Sequence, residues 1–284
     1  MSNHLKGLLI AFFGVLVLTP EGILVKLANS DSFTILFWRG LFLTLSILVI
    51  LLISYRSNAL NQIKGIGKEG LLIGCLTGFG GATFILAIHY TTLAKTLVII
   101  SAAPLMVALV SFILLREKPK LLTWLAMLIV FTGIYIVMSG DTSGLNLKGS
   151  LLALASVTSG GFSFTLLRKY KEVNMVPAMA INGLFITLVG LFFADSLTLS
   201  SQAMTYIVIS SVLVAISFSL ITIAPQFIPA PEVAIFFPMG TVIGTVLAWL
   251  VLKEELSSNA VFGGVIVILT LFIHSIYSAR QSTN

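Results

Sequence analysis

The sequence predicts an all-α integral membrane protein of ten transmembrane helices, arranged as two inverted five-helix repeats. Three observations carry this. Of 284 residues, 58% are hydrophobic and 9% charged, whereas soluble domains carry about 25% charged residues. The apolar residues gather into ten stretches, each close to the roughly 20 residues that cross a bilayer core of about 30 Å. Short sequences of the first half also return, in order, in the second. Ten spans leave only short connections, so no separate extramembrane domain fits. Water-soluble enzymes and binding domains are excluded by the same composition. No stretch alternates apolar and polar residues as a membrane barrel strand would.

Charges, prolines and polar clusters bound the spans at 7–28, 33–54, 70–90, 96–115, 120–140, 148–167, 177–194, 203–224, 232–252 and 259–278. The first apolar run follows Lys6 and continues through Leu18 without a small-residue cleavage site, the pattern of a retained helix rather than a signal peptide. Between the spans, Lys6, Arg56, Lys64, Lys68, Arg116, Lys118, Lys120, Arg168, Lys169, Lys171 and Arg280 share the face that carries the N-terminus. Only Lys26, Lys95, Lys148 and Lys253 fall on the other face. Basic residues stay cytoplasmic, so both termini are expected inside the cell, in the plasma or inner membrane. Trp38, Trp124 and Trp249 fall toward span ends, as an interfacial aromatic belt requires. Cys75 stands alone, which excludes an intrachain disulfide and a cysteine metal cage.

The repeat shows in three places. Gly40-Leu-Phe-Leu-Thr-Leu45 returns as Gly183-Leu-Phe-Ile-Thr-Leu188, a shift of 143. Lys6-Gly7 returns as Lys148-Gly149, a shift of 142, and the run Ile113 to Glu117 returns as Leu250 to Glu254, a shift of 137. The repeats are therefore taken as residues 1–140 and 141–284. Each holds five spans, an odd number, so the second enters the membrane upside down. Inverted repeats are a hallmark of secondary transporters, whose substrate site lies near the midplane where the repeats meet.

Pro20, Pro104 and Pro238 fall inside the first, fourth and ninth spans. Each frees the carbonyl four residues earlier, and in lipid that carbonyl needs protein or water, so such helices face the interior or a wet cavity. Glu21 and Arg39 are the sharpest pair of polar residues. Counted at 1.5 Å per residue, each lies roughly 10 Å below the outer end of its span. Opposite charges at one depth neutralise each other and offset several kcal/mol of burial cost. Two readings stay open: the pair lines a substrate or coupling pathway, or it locks the first two helices together. His89 and Tyr90, ending the third span, are outer-cavity candidates, with ordinary packing as the alternative for the histidine. Lys26 and Lys95 lie where they can snorkel to the interface. Glu232, after Pro229-Ala-Pro231, suits a helix N-terminus. Small residues at Gly74, Gly78 and Gly81, at Ser156, Gly160 and Ser163, and at Gly240 and Gly244 permit close helix packing or leave room for a ligand. The sequence contains no phosphate loop, metal-ligand spacing or nucleophile–base pattern. The expectation is no cofactor, no metal and no catalytic residue.

Phe37-Trp-Arg-Gly40, Ala87-Ile-His-Tyr90 with Thr91-Thr-Leu-Ala94, Pro104 thirteen residues before Glu117, Ala224 to Phe227, Pro231 and Trp249 to Glu254 together resemble the drug/metabolite transporter superfamily, in its ten-helix EamA branch. The resemblance covers nearly all of residues 6–278. It implies proton- or gradient-coupled or facilitative movement of small metabolites, often export of amino acids, through a central cavity lined mainly by helices 1, 3, 4, 6, 8 and 9. The chain departs from it at Pro20-Glu21, where many members carry a small or amide residue. It departs again at Thr241, which stands where Pro104 stands in the first half.

The expected function is thus alternating-access transport, in the export direction, of a small metabolite such as an amino acid. Glu21 and Arg39 would serve coupling or recognition. Expected partners are the small-molecule substrate, protons as the candidate coupling ion and the lipid bilayer, not nucleic acid; monomer and homodimer both stay open. A carrier or flippase for a nucleotide-sugar or lipid-linked substrate is the alternative, and would need several basic residues to meet phosphate. A membrane-embedded enzyme would need His or carboxylates clustered at one depth.

Overall fold

The computed structural model describes residues 3–116, 121–139, 144–228, 233, 236–253 and 258–282. The expectations for Glu117, Lys118, Lys120, Pro229, Pro231, Glu232 and Glu254 lie outside the described residues. Helix is forced by the solvent. In hydrocarbon every backbone N–H and C=O must be satisfied within the chain, and an apolar helix does this segment by segment. Among the described residues there are thirteen α-helices and no strand.

The first span is two helices, α1 (Asn3–Leu18) and α2 (Glu21–Ala28). The second is α3 (Ser32–Tyr55), started by Asp31, whose Oδ2 accepts from the Phe33 and Thr34 amides at 3.0 and 2.9 Å. A short helix, α4 (Ala59–Gly65), precedes the third span, α5 (Gly67–Tyr90). The fourth span is again split, into α6 (Leu93–Ile100) and α7 (Ala103–Leu115). Single helices make the others: α8 (Leu121–Ser139), α9 (Gly144–Lys169), α10 (Ala178–Phe193), α11 (Ser201–Ile223), α12 (Phe236–Leu252) and α13 (Ser258–Ser282). Seven spans have at least 18 residues of sufficient hydropathy, and three shorter apolar helices complete the ten. Phe192 and Phe193 are 77% and 65% exposed, a surface suited to lipid rather than water.

Two of the three prolines divide the spans that contain them. Pro20 and Pro104 end one helix and start another, because each removes an amide donor and its ring clashes with the preceding turn. The Leu16 carbonyl that Pro20 frees accepts from the Thr19 amide at 3.2 Å, and Thr19 Oγ1 donates to Val15 O at 3.1 Å. Pro238 lies in the first described turn of α12, and the Ala234 carbonyl it would free lies outside the described residues.

In the interior, α3, α5, α9 and α10 interlock, α1 and α2 pack on α11, and α8 pairs with α13 to one side. Van der Waals packing, not hydrophobic transfer, drives association between lipid-embedded helices, and small residues let their backbones approach. The repeated Gly-Leu-Phe motif does this. A Cβ on Gly40 would sit 2.5 Å from Gly183 O and closer still to the Thr187 amide; one on Gly183 would sit 2.7 Å from the Thr44 amide and 2.8 Å from Gly40 O. Gly40 thus meets Thr187 while Gly183 meets Thr44, an antiparallel and reciprocal crossing. Thr44 and Thr187 also make the same bond, each donating to the carbonyl four residues back at 2.9 Å.

A second reciprocal pair lies at the two membrane faces. Lys148 Nζ stands 4.0 Å above the Tyr90 ring, and Lys6 Nζ stands 4.7 Å above the Phe227 ring. The adjacent glycines are pressed on the same segments: a Cβ on Gly149 would meet Thr91 at 2.8 Å, and one on Gly7 would meet Phe227 at 2.8 Å.

Gly40→Ala and Gly183→Ala should each destabilise the protein by about 1–3 kcal/mol through overpacking against backbone atoms. Gly65→Ala, whose Cβ would meet nothing within 4 Å, should not. Thermal melting followed by size-exclusion chromatography separates the two outcomes.

Candidate functional site

Pro20 sets up the site by restarting the helix, so that Glu21 becomes the first residue of α2. The free amides of a helix N-terminus favour a negative charge. On α3, Arg39 falls two turns below the Asp31 cap. The structure brings the two side chains together: Arg39 Nη2 donates to Glu21 Oε1, in an ion pair whose partners are 2% and 7% exposed. Ser211 Oγ on α11 donates to the Arg39 carbonyl at 3.2 Å, fixing that stretch of α3 against the second half. Arg39 Nε and Nη1 are buried and make no hydrogen bond.

This pair borders a central cavity of about 210 Å³. Its wall is drawn from eight of the ten spans. Leu18 and Glu21 come from the first and Arg39 from the second; Gly80, Gly81 and Phe84 come from α5 and Leu97 from α6. The second half adds Gly160 and Phe164 of α9, Met179 of α10, Phe218 of α11, and Phe237 and Thr241 of α12. The resemblance implies spans 1, 3, 4, 6, 8 and 9; the structure adds the second span, α3, and the seventh, α10. Apart from Glu21 and Arg39 the described wall is uncharged and mostly apolar. Phe164 and Phe237 meet edge to face at 5.5 Å. A cavity of this character suits a molecule with one polar end and an apolar body.

The small-residue faces divide between packing and cavity. Cβ atoms on Gly74 and Gly78 would strike Ile181 and Phe185 at 2.6 and 2.8 Å, so these glycines let α5 approach α10. Ser156 and Ser159 of α9 donate to the carbonyls of Gly80 and Leu76 on α5 at 2.8 and 2.7 Å. Gly160, by contrast, has nothing within 4 Å of its Cβ direction and opens onto the cavity. None of the three prolines lines the wall, but Thr19 and Glu21, Ala103, and Phe237 beside them do.

His89 and Tyr90 are not brought to the Glu21–Arg39 pair. His89 is exposed and lines a separate pocket of about 230 Å³ where the ends of α2, α3 and α5 meet, with Lys26 and Asn29. Tyr90 turns its ring to Lys148, with His89 edge-on at 5.2 Å. Lys26 reaches the Thr91 carbonyl at 3.2 Å. Lys95, expected to snorkel, is instead buried at 6% exposure inside the first turn of α6.

Sequence reasoning passed over two kinds of residue. Asn182, an amide little more than one turn into an apolar span, is buried beside Gly81 with neither side-chain atom hydrogen-bonded; its polarity was the signal. Phe84, Phe164, Phe218 and Phe237 carried none, being the same residue type as the lipid-facing phenylalanines.

Gly160→Leu should keep the fold and its melting temperature, because the new side chain enters open space. It should also occlude the cavity and reduce any transport at least tenfold, which flux and melting measured on the same preparation would show.

The EamA-like transporter family model matches residues 5–139 and again residues 147–276. An uncharacterized transporter of Methanothermobacter thermautotrophicus is 22% identical over 201 residues, 67% of this chain and 59% of that protein, so the chain spans about three-fifths of the relative's length. A protein of known crystal structure superposes with a TM-score of 0.69 over 97% of this chain and 98% of its own, at 14% identity, and so shares the fold. With ten apolar spans among the described residues, a cavity between them and two family matches covering nearly its whole length, the chain is a multi-pass membrane protein that belongs to the EamA-like transporter family.

Proposed function

We propose that the chain is a secondary-active or facilitative transporter rather than an enzyme, and that it exports a small zwitterionic metabolite such as an amino acid by alternating access. The observation that carries this reading is the buried Glu21–Arg39 pair on the wall of an otherwise apolar cavity. The two charges sum to zero. An anion arriving beside them would leave a net charge in a low-dielectric wall, a cost of several kcal/mol. A zwitterion that places its carboxylate toward Arg39 and its ammonium toward Glu21 opens the pair and keeps the sum at zero. Glu21 is also the candidate proton carrier, since protonating it would release Arg39. A nucleotide-sugar or lipid-linked substrate would meet one basic residue among the described lining residues, Arg39, against two or more phosphate charges.

The repeats are read as residues 1–140 and 141–284, inverted, in the cell membrane with both termini cytoplasmic. The excess of basic residues on the N-terminal face supports the orientation. The reciprocal contacts support the inversion. Under the repeat, Lys6 corresponds to Lys148, and Tyr90, by the shift of 137, to Phe227. One cation–π contact therefore clasps the repeats at each face. Such contacts are worth about 0.5–2 kcal/mol, weak enough to break in turn as one repeat rocks against the other.

In liposomes loaded with a mixed metabolite panel under a pH gradient, mass spectrometry should find selective loss of zwitterionic amino acids. Arg39→Ala vesicles should show none, although the protein remains folded and abundant. Normal flux through Arg39→Ala would make the pair structural, and loss confined to phosphorylated compounds would overturn the substrate class. For the clasps, Thr241→Cys in a Cys75→Ser background reports cavity access to an impermeant maleimide. Tyr90→Ala should speed labelling several-fold from its own face only, and Phe227→Ala from the opposite face only. Equal labelling from both faces in either variant would rule out gating by these contacts.

A further inference from the structure

Asn182 lies on α10, 1% exposed, and both its side-chain Oδ1 and Nδ2 are buried without a hydrogen-bond partner. Arg39, 2% exposed, has two more unpaired donors, Nε and Nη1. The two residues border one glycine. A Cβ built on Gly81 of α5 would stand 3.7 Å from Arg39 Nη1 and 3.8 Å from Asn182 Oδ1. Gly81 itself lines the central cavity, as does Met179, one turn before Asn182. Three spans thus converge on a corner where two buried polar side chains flank a position with no side chain.

Buried polar groups are nearly always hydrogen-bonded, and each one left unpaired destabilises the fold. Arg39 Nη1 and Asn182 Oδ1, both unpaired, border Gly81 at the cavity wall and mark a place that a polar group can enter. The chemistry of that group follows from the donors. Arg39 offers only N–H groups, and the Asn182 amide turns its Nδ2 or Oδ1 into the corner by rotation about its last torsion. A carboxylate accepts from both residues. An ammonium is repelled by Arg39.

We propose that Asn182 is a specificity-determining residue, and that its amide, with Arg39 Nη1, receives the substrate carboxylate beside Gly81. The inference rests on the transport reading above and adds a residue and a place to it. The Glu21–Arg39 contact through Nη2 persists while the carboxylate enters from the Nη1 side, so recognition can precede opening of the pair. Asn182→Asp would fill the corner with a carboxylate of its own.

The test uses the full chain in lipid nanodiscs, with norleucine, norleucinamide and hexanoate as probes and ligand-induced stabilisation as the readout. Norleucine should raise the melting temperature of the unmodified protein, and norleucinamide, which lacks the carboxylate, should not. Asn182→Ala should weaken norleucine about tenfold, the scale of one hydrogen bond to a charged group. Without ligand, its melting temperature should be unchanged or higher, because an unpaired buried amide has been removed. A merely structural Asn182 predicts the reverse: lower intrinsic stability and an unchanged response to norleucine. Gly81→Ala places a methyl in the corner, against only the flexible end of Ile186 at 2.9 Å, and should weaken norleucine further. Asn182→Asp should abolish its binding.

A second arm separates this inference from the zwitterion reading. In Glu21→Gln the Arg39 charge is unbalanced, and hexanoate should bind through the same corner. Its loss in Glu21→Gln/Asn182→Ala would uphold the corner even where the unmodified protein ignores norleucine, in which case the zwitterion reading alone falls. Norleucine or hexanoate binding equal with and without Asn182, or no binding of either probe in any background, would overturn the proposal and leave the corner to ordered water.

Discussion

A guanidinium and a carboxylate held together inside an apolar bundle constrain nearly everything around them. Each charge offsets the burial of the other, and leaving one in this wall without its partner costs about 3–5 kcal/mol. Their meeting depends on the break at Thr19-Pro20, which makes Glu21 a helix start, and on α3 being pinned to the second half through Ser211. Breaking the helix frees a carbonyl, and Thr19 shows how the chain takes up the slack, turning its amide to Leu16 O and its hydroxyl to Val15 O. One proline thus shapes a cavity wall and positions a charge.

The second constraint is that lipid gives helices no reason to pack on one another by hydrophobic transfer. Close approach has to supply the attraction, and the chain provides it where α3 crosses α10 and where α5 meets α9 and α10. Gly40, Gly183, Gly74 and Gly78 each touch a neighbouring helix where a methyl group would collide. Serines on α9 reach across to carbonyls on α5. The cavity begins where this pattern stops. At Gly160 the absent side chain faces open space rather than a neighbour, so one residue type does opposite work within a single bundle.

Both reciprocal contact sets, glycine on threonine at the centre and lysine on aromatic at the faces, join the first half of the chain to the second. The rigid central crossing and the weaker contacts at each end suit a molecule in which two halves rock about their middle. The cavity is lined from both halves, the charged pair coming from the first and the phenylalanines of α9, α11 and α12 from the second.

Span number and span ends were legible in the sequence because they are local. Apolar length and backbone self-satisfaction determine them, and 33–54 and 70–90 were expected where Ser32–Tyr55 and Gly67–Tyr90 are found. Glu21 and Arg39 were legible because an ionisable residue inside a span is conspicuous, and counting residues gave their common depth. The rotation of each helix about its axis is absent from hydropathy, since an apolar face reads alike whether it meets lipid, protein or a cavity. That rotation put Tyr90 on Lys148, buried Lys95, and sent Phe84 inward while Phe192 was left exposed. It also brought Asn182, Arg39 and Gly81, from three different spans, to one corner. Such a meeting is a property of how α3, α5 and α10 pack, and only the tertiary structure decides it.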